Sequence, residues 1–310
     1  MDSFNHCYLT IRGLRYHYVD QGKGPFVLLC HGFPDLWYGW RHQIKHLSKQ
    51  YRVIVPDMVG YGETDQPNSL QEGLDRYTFK SVAGTKGLNF DDLVYLMEAV
   101  GAKKFYLVGH DWGGAVAWRL AQYYPDHIIS MISLCTPYNP VNKSFIPIDD
   151  VVKMLPNFLY QKHLADLKTD KLLDDNVEEF FNWMFGAPNK FAIAKSIFGD
   201  VPDSTMAFVP DMSYHKRVYA EKGFHGPLNW YRTRRANWEK EQEGLGPVKS
   251  KCLFVIAEND PYLVPAMAKK MKKHVPHCAI TSVKAGHWVM IEVPDQISEI
   301  ITSFFASSKL

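Results

Sequence analysis

The stretch Phe105-Tyr106-Leu107-Val108-Gly109-His110-Asp111-Trp112-Gly113-Gly114, running on through Ala115 to Tyr124, decides the fold. Residues 105–109 form a continuous apolar run without alternation, which fits a strand covered on both faces. A helix-like segment, Ala115 to Tyr124, follows at once. Between the two stands a single acidic residue with small neighbours on either side. A sharp strand-to-helix turn needs small flanks because the neighbouring backbones come close. Such a turn puts Asp111 at its apex, where the dipole of the following helix favours negative charge. A bland alternative is that Asp111 only caps the helix starting near Trp112.

The same rhythm extends outward. Phe26 to Cys30, Arg52 to Pro56, Ile128 to Leu134 and Leu253 to Ala257 read as buried strands. Tyr8 to Ile11 and Arg15 to Val19, separated by Gly13, read as an antiparallel hairpin. Helices are expected at 37–49, 88–100, 112–124, 265–274 and 295–306. The fold class is therefore α/β, a mostly parallel sheet with helices on both faces. The alternation breaks at Thr136-Pro-Tyr-Asn-Pro140 and resumes after Gly244-Leu-Gly-Pro247. Residues 137–246 are expected to form a helical cap inserted into a core made of 1–136 and 247–310. The polar stretch from Gln66 to Gly87 reads as a long surface loop.

The bulk numbers exclude several classes. The chain has 310 residues, 46% of them hydrophobic, enough for a large core with an insertion. Its net charge is only +2, with no basic stripe, which argues against nucleic acid as a partner. The run Lys269, Lys270, Lys272, Lys273 reads as a solvated helix face. No run of about 18 apolar residues suggests a membrane span, and Met1 to Thr10 lacks the pattern of a signal peptide. Five cysteines, an odd number without metal-like spacing, fit buried thiols in a reducing compartment. The closing Ser308-Lys309-Leu310 reads as a peroxisomal address recognised by an import receptor, so the expected location is peroxisomal, cytoplasmic or both.

The acidic residue at the turn sets the chemistry. A carboxylate is ionised at neutral pH and can attack an electrophilic sp³ carbon directly, leaving an ester of the protein that must then be hydrolysed. Strained or activated carbons, such as those of epoxides and alkyl halides, suit such an attack. An esterase or lipase would carry Ser or Cys at position 111. After the first buried strand comes His31-Gly32-Phe33-Pro34, whose loop can present the Phe33 backbone N–H, together with that of Trp112, to a developing oxyanion. Gly286-His287-Trp288 follows the last strand-like run and offers a general base. Asp260, in Ala257-Glu-Asn-Asp-Pro261, is the candidate to orient His287, with Glu258 as its rival on the same loop.

On these motifs, and on Gly60-Tyr-Gly-Glu-Thr64, the chain resembles the epoxide hydrolases of the α/β-hydrolase superfamily over nearly its whole length. The resemblance implies an eight-stranded, mostly parallel sheet with an inserted helical cap and no metal or organic cofactor. It further implies two cap tyrosines that hold the epoxide oxygen. Gly226-Pro-Leu-Asn-Trp-Tyr-Arg232 points to Tyr231 and Phe158-Leu-Tyr-Gln161 to Tyr160, with Tyr138 and Tyr219 as alternatives. A phenol stays protonated at neutral pH and can donate to the oxygen of an opening ring. The implied sequence is attack by Asp111, then ester hydrolysis by water activated by His287 with Asp260. Phe33, Pro34, Trp112, Trp183 and Trp288 are expected to contact substrate, which suits apolar or aryl epoxides. The rival enzyme reading is a haloalkane or haloacetate dehalogenase. Such enzymes tend to have Asn at position 33, where this chain has Phe. A non-catalytic ligand receptor is the remoter reading, since it would be expected to have lost part of the Asp111, Asp260 and His287 set.

Overall fold

A computed structural model describes residues 3–68, 73–83, 92–186, 194–198, 211–242 and 244–308. Eight strands form one sheet in the order β1-β2-β4-β3-β5-β6-β7-β8. They are β1 (His6–Ile11), β2 (Leu14–Gly22), β3 (Phe26–Cys30), β4 (Arg52–Pro56), β5 (Phe105–His110), β6 (Ile128–Leu134), β7 (Lys251–Ala257) and β8 (Ala279–Val283). Only the β1–β2 and β2–β4 pairings are antiparallel. The hairpin runs longer than its apolar pattern, since Tyr18 to Gly22 also pair with β4.

Every residue of β5 is buried, as are all but the first of β3 and β4. That is the reason these segments are largely apolar: helices cover the sheet on both sides, leaving little room for polar side chains. Each Val, Leu or Ile withdrawn in this way stabilises the fold by about 1.5–3 kcal/mol.

The strand order places the chemistry. From β3 the chain steps outward to β4, then crosses back to form β5 on the other side of β3. At such a reversal the loops leaving the two strands diverge and open a crevice beyond their carboxyl ends. Here Cys30 pairs with Gly109, so the His31-Gly32-Phe33 loop and the Asp111 turn leave the sheet side by side.

The helices follow the expected periodicity with local differences. Trp112–Tyr123 and Pro294–Ala306 are α-helical. Residues 37–47 begin as a 3₁₀ turn, Trp37–Trp40, and continue as Arg41–Leu47. Pro265–Lys273 is 3₁₀ rather than α, and its four lysines are exposed. Asp92–Ala99 is helical, while residues 88–91 of that expected helix lie outside the described set. The expected surface loop at 66–87 needs correction. Asp75–Tyr77 and Phe79–Ala83 are short helices in which Tyr77, Phe79, Val82 and Ala83 are buried. The aromatic and apolar residues of Tyr77-Thr-Phe-Lys-Ser-Val-Ala83 outweighed the polar composition around them.

Between β6 and β7 the described residues contain eight short α-helices, from Ile148–Met154 to Arg234–Glu241, and one 3₁₀ turn, Pro156–Phe158. Polar contacts tie them to the strand-end loops. Trp230 Nε1 donates to the Val59 carbonyl at 3.0 Å, Trp37 Nε1 to the Tyr214 hydroxyl at 2.8 Å, and His215 meets Asp35 at 2.7 Å. Arg119 pairs with Glu241. Among the described residues no helix is long and apolar enough to cross a membrane. The five cysteines are free thiols, four of them buried.

Candidate active site

Asp111 has φ 53° and ψ −122°, a backbone state that side-chain-bearing residues rarely adopt. Its side chain makes no capping hydrogen bond to the helix that follows, so the capping alternative does not describe it. The main chain does that work instead: the Asp111 carbonyl accepts from the N–H groups of Gly114 at 2.9 Å and Ala115 at 3.1 Å. The carboxylate is thereby left free to face the crevice.

The neighbouring glycines are required by contact. A Cβ on Gly113 would lie 2.1 Å from the Cys30 carbonyl oxygen, and one on Gly32 would lie 2.2 Å from Asp111 Oδ1. The Gly32 space is what lets the Phe33 backbone N–H reach Asp111 Oδ1 at 2.8 Å. The Trp112 backbone N–H, at the start of the helix, favours the charged form of the Asp111 carboxylate. His31 holds this loop in place, with Nδ1 donating to the Gly32 carbonyl at 2.9 Å and Nε2 accepting from the Met58 N–H at 3.0 Å.

His287 follows β8. Its Nδ1 lies 2.7 Å from Asp260 Oδ2, and its Nε2 lies 3.8 Å from Asp111 Oδ2. Asp260 is locked by the N–H groups of Tyr262 at 2.8 Å and Leu263 at 2.9 Å, both on Oδ1. Glu258 turns away, accepting from Ser282 Oγ at 2.6 Å on the exposed side of the sheet. The side chains of Asp260 and His287 are 0% and 4% exposed, against 13% for Asp111. The carboxylate at the turn is thus the one of the two that is open to the cavity.

Burial alone would lower the His287 pKa. The Asp260 charge and hydrogen bond, with Asp111 and Glu292 behind them, outweigh it and push the pKa up to about 9. Burial raises the Asp111 pKa, against the opposing pull of His287 and the two N–H donors. Asp260 is moved the other way: its burial is outweighed by His287 and the N–H donors, which lower its pKa.

A cavity lies over Asp111 and His287. Tyr160, Tyr231, Tyr262, Phe33, Leu164, Met184, Phe198 and Trp288 complete its wall. Tyr160 is on the helix Leu159–Ala165 and Tyr231 on the helix His225–Arg232. Their rings stand 6.1 Å apart at 80°. Burial first, and then the Asp111 charge, hold both phenols well above their ordinary pKa, so both remain protonated. Gln161 Nε2 donates to the Tyr160 hydroxyl at 3.3 Å, and the Trp112 ring stands edge-on to Tyr231 with centroids 5.2 Å apart. A phenol oxygen that accepts in this way still has its own proton to donate.

Three of the expected substrate contacts are not on this wall. Trp183 packs on Phe198 with centroids 4.5 Å apart, because successive helical residues diverge and it is the next one, Met184, that reaches the cavity. Pro34 is buried in the loop. The Trp112 ring packs on Phe79, Trp230 and Tyr231 behind the wall. Phe33 and Trp288 do line the cavity, whereas Tyr138 and Tyr219 do not.

Sequence reasoning overlooked Tyr262 and Glu292. Glu292 accepts from the Gly286 N–H at 2.7 Å and the Trp288 N–H at 3.0 Å, one on each side of His287. An acidic residue one helical turn beyond His287 was the available signal. His110, Cys135 and His287 bring possible metal-ligating atoms within 4.8 Å. In this state, however, His110 Nε2 and Cys135 Sγ bond the His287 carbonyl, at 2.8 and 3.4 Å.

Comparison with known proteins identifies the family. Residues 25–294 match the alpha/beta hydrolase fold family. Bifunctional epoxide hydrolase 2 of Sus scrofa is 33% identical over 315 residues, which cover 96% of this chain and 55% of that protein. The chain thus spans about half the length of that relative. Epoxide hydrolase srdG of Neurospora crassa is 31% identical, with 96% of this chain and 94% of that one covered. Among solved structures, epoxide hydrolase VrEH1 from Vigna radiata superposes with a TM-score of 0.80 at 28% identity, covering 99% of both chains. Potato epoxide hydrolase I gives 0.81 at 26% identity, covering 98% of this chain and 100% of that one.

Proposed function

The chain belongs to the α/β-hydrolase fold family, among its epoxide hydrolases, and from that footing we propose that it hydrolyses apolar or aryl epoxides to vicinal diols through an ester on Asp111. The observation that carries this reading is the placement of an ionisable carboxylate at a strand–helix turn. The Phe33 backbone N–H holds one of its oxygens, a histidine faces the other, and two protonated phenols stand across the cavity.

In the first step Tyr160 and Tyr231 donate to the epoxide oxygen while Asp111 Oδ2 attacks a ring carbon from the opposite side. The C–O bond breaks, its electron pair goes to the epoxide oxygen, and a phenol proton neutralises it. In the second step His287 takes a proton from water, and the resulting hydroxide attacks the Asp111 carbonyl carbon. The oxyanion forms on Oδ1, which accepts from the Phe33 N–H, with the Trp112 N–H of the same turn as the second donor in this scheme. Collapse breaks the bond between the acyl carbon and the alkyl oxygen; the leaving alkoxide takes the proton of the re-formed Asp111 carboxyl, the diol departs, and the proton held by His287 returns to the tyrosinate, restoring carboxylate, imidazole and phenol. Asp260 keeps the ring of His287 oriented and stabilises its charged form. The described helices within 137–246 act as a cap that carries the phenols.

A single turnover in ¹⁸O-water tests the scheme. Label is expected first in the Asp111 carboxylate, and label going directly into the diol would remove Asp111 as nucleophile. Release of halide from haloalkanes in place of diol from epoxides would support the dehalogenase alternative. Against that alternative, the Trp112 side chain is engaged with Tyr231 instead of standing free for a halide. Peroxisomal import and a role in detoxification belong to the same proposal. Lys309 and Leu310 lie outside the described residues. Organelle import with and without the final tripeptide tests the address.

A further inference from the structure

The cavity wall holds a third phenol, Tyr262, to which the scheme above gives no task. Its main chain is anchored from both sides. The N–H donates to Asp260 Oδ1 at 2.8 Å, and the carbonyl accepts from Asn157 Nδ2 at 2.6 Å. Its ring stands edge-on to two residues of the site, Tyr160 at 5.3 Å and His287 at 5.9 Å between centroids. The hydroxyl is buried and, among the described residues, has neither a donor nor an acceptor partner. The Tyr160 hydroxyl is hydrogen-bonded, whereas that of Tyr262, among the described residues, is buried and unsatisfied. Leaving a buried hydroxyl unpaired is unfavourable, and a ligand that brings a polar atom to it removes that penalty.

We propose that Tyr262 forms an oxygen-binding subsite beside the reacting carbon, so that the preferred substrates are epoxides bearing an ether, hydroxyl or carbonyl oxygen close to the ring. This rests on the reaction assigned above and goes beyond the apolar preference. Tyr160 and Tyr231 are already assigned to the ring oxygen. Tyr262 lies on the His287 side of Tyr160, so it meets an atom a bond or two away from the ring. The neighbouring wall residues Leu164, Met184 and Phe198 are apolar and offer no competing side-chain partner. A site that hydrogen-bonds one substrate oxygen discriminates against the analogue that lacks it, because the buried group is then left unpaired.

Ethyl glycidyl ether and butyloxirane differ by an ether oxygen in place of one methylene. Their kcat/KM values are to be measured in the wild type and in Tyr262→Phe, and the ratio of ratios removes the intrinsic reactivity of each epoxide. The variant is expected to lose about five- to tenfold on the ether and to stay within about twofold on the hydrocarbon, the size of one hydrogen bond. Retained hydrocarbon turnover also demonstrates that the variant is folded. Equal losses on both substrates, or no loss on either, overturn the subsite while leaving the reaction in place. A wild type that opens neither epoxide but remains folded overturns the assigned reaction, and the subsite falls with it.

Discussion

Nε2 of His287 stands 3.8 Å from Oδ2 of Asp111, beyond direct hydrogen-bond reach. The imidazole is therefore not clamped onto the nucleophile. It faces the place where water must approach once that oxygen carries an alkyl group.

Replacing His287 by Gln should accordingly separate the two half-reactions. Alkylation of Asp111 is expected to persist while ester hydrolysis slows by roughly 10²–10⁴-fold. Intact-protein mass spectrometry would then find a stable adduct of the mass of one substrate. Rapid steady turnover by His287→Gln would refute the role given to the imidazole.

The pH dependence of the two steps should differ. In the resting protein His287 titrates at about 9 and so carries a proton at neutral pH. One contributor to that shift is the Asp111 charge, which esterification removes. The base pKa should then fall, releasing the proton just when a base is needed. Hydrolysis of the ester is expected to rise with pH through a midpoint below about 9. Alkylation should instead be lost at acid pH, as Asp111 takes a proton at its raised pKa. Rapid-quench measurement of each step supplies both midpoints, and a hydrolysis midpoint at or above the resting value would contradict the coupling. The raised His287 pKa also favours the folded state at acid and neutral pH, a contribution lost as pH climbs through about 9.

Tyr231→Phe and Tyr160→Phe should each lower the alkylation rate roughly ten- to hundredfold, and the double variant more. Hydrolysis of an ester already formed should change little, because neither phenol touches the acyl carbon in the scheme. Equal effects on both steps would point to a general packing defect.

Glu292 brackets His287 through the N–H groups of Gly286 and Trp288, and its charge helps to keep the proton on the imidazole. Glu292→Gln keeps the shape and removes the charge. Ester hydrolysis is expected to slow about tenfold, the size of a weakened charge-assisted pair, with its midpoint moved to lower pH and alkylation unchanged. A purely structural role would lower thermal stability without moving that midpoint.

The central sheet could be read from the sequence because buried parallel strands are apolar over most of their length, as β3, β4 after Arg52 and most of β6 are. The reacting centre could be read because a tight turn tolerates few residue types around Asp111, and because Asp260 and His287 each follow a strand. The wall of the cavity was harder. Trp183 and Met184 are adjacent on one helix, and only the rotation of that helix decides which of them reaches the cavity. Tyr262 was hidden for a related reason: it lies two residues beyond Asp260, where the sequence marks a turn and says nothing of the direction of the ring. The segment 66–87 was misread because composition averages over polar residues and the few aromatics that bury themselves.

The pairing of Cys30 with Gly109 has a thermal corollary. It stitches the Phe33 loop and the Asp111 turn to the middle of the sheet, whereas both phenols ride on helices attached mainly through side chains. On warming, the phenols should drift from the carboxylate well before the sheet melts. Diol formation would then fade while hydrogen exchange at β3 and β5 is still slow.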